Sequence, residues 1–403
     1  MKKAMSLLLS GALVMGLAGC STAPAGENAP AGGGNAPASG DKVVKIGVFE
    51  PASGENGGGG KQEVLGMRYA NTVAPTVDIG GETYTVELVE VDNQSDTSKA
   101  PTAAQSLVSD GVSVVLGSYG SGVSIAAGSI FAGAKISAIG ASCTNPQVTA
   151  GNEYYFRVCF LDPFQGTVMA NFAKDQGAAN AFVITQLGDD YSTGLGTYFT
   201  KAFESLGGAT TQAQFQTGEV DFNAILTNAK NAGADVIFAP SSIQTAPLII
   251  KQARAMGLTC PIMAGDTWEN QTIIENAGAD TSGVYLSTFF DENDTSSTIA
   301  SDFVKGFKDY LNADSKNLTN NGGNDGVAAV SALGYDAYMT AVKAIEAAGS
   351  TQGEAIKDAL KTLSYDGVTG SITFDENGDA NKNMAYIKTI EGGAFKFLKT
   401  QSV

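Results

Sequence analysis

Short apolar runs separated by amphipathic stretches recur along the chain from Val43 onward. The runs VVKIGVF (43–49), YTVELVEV (84–91), VSVVLG (112–117) and KISAIG (135–140) alternate with helical periodicity near 61–74, 97–110 and 122–132. Brief, nearly continuous apolar runs read as strands covered on both faces, and strands alternating with helices read as βαβ units of a parallel sheet. The rhythm restarts after Phe164 with AFVITQ (181–186), TTQAQFQ (210–216), DVIFAP (235–240), PIMAGD (261–266) and GVYLSTF (283–289), with helices expected near 192–206, 222–232 and 245–257. Two consecutive α/β sets predict two lobes, and the cleft between lobes is the expected ligand site. Residues 297–311, 326–348 and 352–363 are expected to be helical. The closing segments SITFD, MAYIKTI and AFKFLK are expected to form short antiparallel strands, so the chain should cross back between lobes near its end.

The stretch 112–149 is the one around which the rest is arranged. Its apolar runs 112–116 and 135–139 each break into a small polar cluster, GSYGSG and ASCTNP, and the first leads directly into a helical pattern. In an open α/β sheet, ligands sit at the carboxyl ends of strands, where a helix N-terminus offers free N–H groups and a positive dipole end. Ser121 and Thr144 therefore stand where a carboxylate would be held, although N-cap and turn roles suit the same residue types.

Composition narrows the function. The chain has 403 residues, 43% of them hydrophobic, and 41 acids against 24 bases give a formal charge of −17. A nucleic-acid partner is not expected of so acidic a chain, because phosphate binding needs clustered Lys and Arg. Residues 1–19 read as a lipoprotein signal peptide: Lys2 and Lys3 precede an apolar core at 7–17, and Leu17, Ala18, Gly19 and Cys20 resemble a bacterial lipobox. Cleavage before Cys20 and lipidation of its thiol would tether the chain to the outer face of the cytoplasmic membrane. Residues 20–42 are then the lipidated cysteine and a disordered Ala/Pro/Gly-rich linker.

The chain contains no histidine, which removes Ser-His-Asp and Cys-His catalysis as well as histidine metal sites. No zinc-type cysteine pairing is present, and neither a cofactor nor a metal is expected. The glycines at 57–60 before Lys61 have the look of a phosphate loop but lack glycine at Glu55 and Ser or Thr at Gln62. They are expected instead to form a flexible cleft loop. The run DENGD (375–379) lacks the glycine and glutamate of a calcium loop at Ala380 and Tyr386 and is expected to be a turn. Cys143, Cys159 and Cys260 are odd in number and expected to be buried and reduced, though sequence also permits a Cys143–Cys159 bridge.

In order, IGVFEPASG, VDNQSDTSKA, DGVSVVLGSYGSG, ASCTNPQVT, YFRVCFLDPFQG, GDDYSTGL, FQTGEVDFNAIL, KQARAMGLTCPIMAGDTW and TGSITFDENGD resemble the leucine/isoleucine/valine-binding branch of the type I periplasmic binding proteins, from about Val43 to about Lys399. The resemblance implies an α/β fold of two Rossmann-like lobes with parallel sheets, closing like a flytrap. Lobe 1 would comprise 43–161 plus 291–375, and lobe 2 would comprise 162–290 plus 376–403. Three crossovers are expected near 161–163, 289–291 and 374–377. The implied activity is not enzymatic: a monomer captures a small ligand between its lobes and delivers it to an ABC permease.

By the same resemblance, Ser121, Ser142 and Thr144 would hold the α-carboxylate and part of the α-amino group of an amino acid. Asp266 would face the ammonium, and Tyr191 would reach in from the second lobe. Relatives line the side-chain pocket with aromatics at positions that here read Gly59, Ser242 and Ala329, whereas Tyr119 stands where leucine is usual. A pocket so altered suits a larger or aromatic side chain or a ligand that is not an α-amino acid. The resemblance as a whole implies a branched-chain or related apolar or aromatic amino acid, with an amide, urea-like or other non-zwitterionic solute as the alternative. Trp268, the only tryptophan, could pack between lobes or touch the ligand.

Overall fold

The structure, a computed structural model, describes residues 42–294 and 297–403. The signal peptide, Cys20 and the linker up to residue 41 lie outside the described residues.

Six strands form the first sheet: β1 (Val43–Glu50), β2 (Thr76–Ile79), β3 (Glu82–Asp92), β4 (Val114–Leu116), β5 (Ser137–Gly140) and β6 (Tyr155–Arg157). Their spatial order is β2-β3-β1-β4-β5-β6, and β1, β3, β4, β5 and β6 run parallel. The second sheet begins with β7 (Asn180–Leu187), β8 (Ala209–Gln216), β9 (Val236–Phe238), β10 (Ile262–Ala264) and β11 (Val284–Thr288). A small antiparallel pair, β12 (Ser364–Gly367) and β13 (Gly370–Thr373), precedes β14 (Ala385–Glu391) and β15 (Ala394–Gln401), which join the second sheet antiparallel in the order β15-β14-β11-β10-β9-β7-β8. The chain thus leaves the first sheet after β6, returns after β11, and crosses again after β13.

The connecting helices are α1 (Gly57–Val73), α2 (Ala100–Ser109), α3 (Ser121–Gly133), α4 (Asp162–Asp175), α5 (Asp190–Ser205), α6 (Asn223–Asn231), α7 (Ala246–Ala255) and α8 (Gln271–Ala277). They continue with α9 (Thr298–Ala313), α10 (Ser315–Asn320), α11 (Ala329–Ala348) and α12 (Gly353–Thr362). Among the described residues, no helix is long and apolar enough to cross a membrane. The central strands are wholly buried because helices cover both faces, which is why they read as uninterrupted apolar runs.

The glycine run is not a loop. Gly57–Gly60 form the first turn of α1, and close packing is the reason. A Cβ at Gly60 would stand 2.2 Å from the Pro51 carbonyl oxygen, and one at Gly59 would stand 2.3 Å from the Tyr119 ring. Lower on the helix, Gly66 lies against Ser331 of α11, where a Cβ would come within 1.9 Å of the backbone oxygen. Glycine's usual helix penalty of about 1 kcal/mol is offset by this backbone approach.

DENGD is a turn, and it also positions Asp379. Asp375 accepts from the backbone N–H groups of Asn377 and Asp379 at 2.8 and 3.0 Å. Cys143 and Cys159 are buried free thiols, while Cys260 is a free thiol that is only half-buried, a departure from the expected full burial. Trp268 is fully buried, with Nε1 3.3 Å from Ser241 Oγ.

Candidate functional site

β4 ends at Leu116, and residues 117–120 turn directly into α3. Gly120 is the N-cap and offers no capping side chain, so the first-turn N–H groups of Ser121, Gly122 and Val123 have no intrahelical partner. All three residues line a cavity of about 400 Å³ between the sheets. A helix of 13 residues ending there presents bare donors and a positive dipole end to whatever enters. Ser121 Oγ accepts from Asn145 N at 3.2 Å, which leaves its own proton free to point into the cavity.

The opposite wall comes from the elements of the second sheet. Tyr191, at the start of α5, is fixed by the N-cap Asp189, which accepts from the N–H groups of Tyr191 and Ser192 at 2.9 and 3.1 Å. Its phenol donates to Asp266 Oδ1 at 3.1 Å. Thr267 follows in a 3-10 turn, Asp266–Trp268, and receives the Tyr119 phenol on its backbone oxygen at 3.4 Å. The cavity lining includes the acids Glu55, Asp96, Asp189 and Asp190 and, among the described residues, no lysine or arginine.

Of the residues singled out from sequence, Tyr119, Ser121 and Tyr191 meet at this cavity, as does Ser242. Asp266, Ser142 and Thr144 are buried and do not line it. Asp266 is 2% exposed and accepts from Gln165 Nε2 at 2.8 Å as well as from Tyr191. Burial pushes its carboxyl up to about 6 even against those hydrogen bonds. Ser142 gives its hydroxyl proton to Glu63 Oε1. Thr144 Oγ1 is buried beside the Asp162 carboxyl, yet neither makes a hydrogen bond of good geometry. Gly59 holds no wall of its own, because the Tyr119 ring fills the space a side chain there would take. Ala329 and Trp268 do not reach the cavity.

Several buried polar residues at the cleft floor carry no signal in the apolar pattern. Asp162 opens α4 and is 0% exposed; burial raises its carboxyl to about 8, and both its oxygens lack partners. Arg157, fully buried at the end of β6, donates to the carbonyls of Cys143 and Asn145 at 2.7 Å each and to Asp379 Oδ1 at 2.5 Å. It thereby fixes the loop that carries Ser142 and Thr144. The one clue in the sequence is an arginine inside an aromatic-rich apolar run followed by LDPFQ, since a charge in such a run must find partners. Among the described residues, no group of three His, Cys, Asp or Glu side chains is placed to hold a metal ion.

Comparison with known proteins gives consistent relatives. The family model described as periplasmic binding protein matches residues 43–394. A leucine-binding protein LivK from Thermotoga maritima superposes with a TM-score of 0.83 at 35% identity, covering 89% of this chain and 99% of that one. The branched-chain amino acid transporter substrate-binding protein LivJ from Streptococcus pneumoniae, solved with isoleucine, superposes with a TM-score of 0.78 at 29% identity over 90% of this chain and 99% of that one. A Leu/Ile/Val-binding protein homolog of Brucella melitensis is 30% identical over 341 residues, 83% of this chain and 87% of its own length.

Proposed function

The chain belongs to the periplasmic binding protein family, whose members are solute-binding proteins of transporters and not enzymes, and from that premise we propose that it captures an amino acid between its lobes outside the cytoplasm and delivers it to an ABC permease. The observation that carries this reading is the cavity faced by the bare N-terminus of α3 on one side and by Tyr191 and Thr267 on the other. A zwitterion suits it: the carboxylate meets the helix N–H groups and Ser121, and the ammonium lies at the wall of Tyr119, Tyr191 and Thr267, beyond which stand Asp266, Ser142 and Thr144. Both charges must be matched, because a buried unpaired charge costs far more than a paired one.

A branched-chain or related apolar side chain is the proposed preference. The LivK and LivJ relatives support it by their names, and the displaced aromatic, Tyr119 in place of a residue at 59, supplies an apolar edge. Cys20 is proposed as the lipid attachment point, with residues beyond it serving as a leash. In the cycle we envisage, the open form takes the carboxylate on the first lobe, and hinge closure then brings Tyr191 and Asp266 across. A thermal-shift screen of the mature chain against the twenty amino acids and small amides tests it, since a ligand bound only by the native state raises the melting temperature. A rise with leucine, isoleucine or valine is expected. A rise with amides alone would replace the zwitterion by a neutral solute.

A further inference from the structure

Beneath the cleft lie two acids, Glu50 and Glu63, that are buried and make no ion pair among the described residues. Glu50 closes β1 and accepts from the backbone N–H of Tyr119 at 2.7 Å through Oε2. Glu63 lies on α1 and accepts the Ser142 hydroxyl through Oε1. The remaining oxygen of each, Glu50 Oε1 and Glu63 Oε2, is buried and meets no donor, and the two carboxyl groups lie close enough to act on each other. Two such carboxyl groups can bond to each other only when a proton lies between them. The space for the pair is made by Gly117, where a Cβ would come within 2.3 Å of Glu50 Oε1.

We propose that Glu50 and Glu63 are positioning residues for ligand capture: one shared proton joins them and so ties the 117–120 loop, which presents Ser121, to the 141–145 loop, which presents Ser142 and Thr144. The proposal rests on the capture reading above. The separation of these two loops decides whether the carboxylate and ammonium subsites on the first lobe match one ligand.

The surroundings favour retention of the proton. Burial raises Glu63 to about 7, with the Glu50 and Ser142 hydrogen bonds opposing and the Asp266 charge adding to the rise. Burial also raises Glu50 well above the usual carboxylate range, reinforced by Glu63 and, more weakly, by Cys143, while the Tyr119 N–H opposes. The phenols of Tyr119 and Tyr155 face the same region, and no lysine or arginine is among the groups acting on either acid. Because the folded state holds the proton more tightly than the unfolded chain, the pair's contribution to stability is full below the ordinary glutamate range and is lost as pH rises through about 7. Above that point two carboxylates face each other, and the two loops are pushed apart.

The test compares wild type, Glu63→Gln and Glu63→Ala between pH 6.5 and 8.5, by melting temperature without ligand and by calorimetric titration with L-leucine as probe. In Glu63→Gln an amide N–H replaces the shared proton and the amide oxygen still accepts from Ser142. The expected result is that wild type loses affinity about five- to tenfold across the range, that Glu63→Gln binds as wild type does at pH 6.5 and stays flat, and that Glu63→Ala is weak throughout. The wild-type melting temperature should fall relative to that of Glu63→Gln over the same range. Parallel pH profiles for wild type and Glu63→Gln, or wild-type capture by Glu63→Ala, would overturn the proposal. If L-leucine and the other amino acids fail to bind wild type, the capture reading falls, and the melting profiles still decide whether the pair shares a proton.

Discussion

Asp266 takes two hydrogen bonds on one oxygen, from Tyr191 and Gln165, and burial nevertheless holds its carboxyl at about 6. An ammonium placed beside it would favour the ionised form, so ligand binding at low pH must expel a proton. Affinity should therefore fall below about pH 6, by at most about tenfold per pH unit, an acid-side decline separate from the loss above pH 7 set by Glu50 and Glu63. Asp266→Asn keeps the acceptor for Tyr191 and Gln165 but removes the charge. It is expected to weaken amino-acid binding by about 2 to 5 kcal/mol and to abolish the acid-side decline, as read by calorimetry from pH 4.5 to 7.5. Equal affinity in the variant would remove Asp266 from the ammonium subsite. Arg157 illustrates a different kind of residue: it touches no ligand space, yet its guanidinium satisfies the Cys143 and Asn145 carbonyls, so the loop bearing Thr144 owes its shape to a charge in the core.

At the scale of elements, α1 and its neighbours show what the sequence can and cannot reveal. Parallel strands such as β4, β5, β9 and β10 are legible because burial on both faces leaves an uninterrupted apolar run. β6 gives no such signal because its run ends in the charged Arg157, and α4 gives none because it buries residues on more than one face and so lacks a clear stripe. The first turn of α1 reads as a loop because four glycines carry no helical preference. Their role appears only when Pro51 and Tyr119 are brought against them from elsewhere in the chain. The candidate site follows the same division: Ser121 and Tyr191 are visible at strand ends, whereas Glu63 reads in isolation as an ordinary helix-surface acid, and its partner Ser142 is 79 positions away. The packing predicts a compensating pair. Gly59→Ala drives a methyl into the Tyr119 ring, so it should lower amino-acid affinity by displacing the phenol from Thr267 O. Adding Tyr119→Leu should make the alanine nearly neutral. In a double-mutant cycle, coupling of about 0.5 to 3 kcal/mol is expected, and additive effects would show that the ring does not occupy the site of a residue-59 side chain.

For the molecule as a whole, the two ends of the cleft are held by bonds of different strength. On the hinge side the ties are buried and charged: Lys388 of β14 lies 2.5 Å from Glu269 and 3.1 Å from Asp291 on the second crossover, and Arg157 of β6 holds Asp379 on the third. At the mouth they are single neutral or amide bonds: Asn56 Oδ1 accepts from Ile243 N at 3.1 Å, Gln244 Nε2 donates to Gly54 O at 3.0 Å, and Gln186 Nε2 donates to Glu55 at 2.9 Å. Removing one partner of a buried ion pair costs about 3 to 5 kcal/mol, against about 0.5 to 1.5 for an ordinary hydrogen bond. The lobes should therefore part at the mouth and turn about the hinge, which is the motion that ligand capture needs. Gln62 offers a clean probe, because it accepts from Asn270 across the interface at 3.0 Å but does not line the ligand cavity. Gln62→Ala removes this contact between the lobes, along with a longer bond to Asn321 at 3.4 Å, so it should weaken affinity by about 0.5 to 1.5 kcal/mol, expressed as faster release rather than slower capture. Stopped-flow fluorescence from the single tryptophan, Trp268, two positions beyond Asp266, can separate the two rates. A change confined to the association rate would mean that Gln62 shapes the open form, and the bond to Asn270 would then have no part in holding the lobes shut.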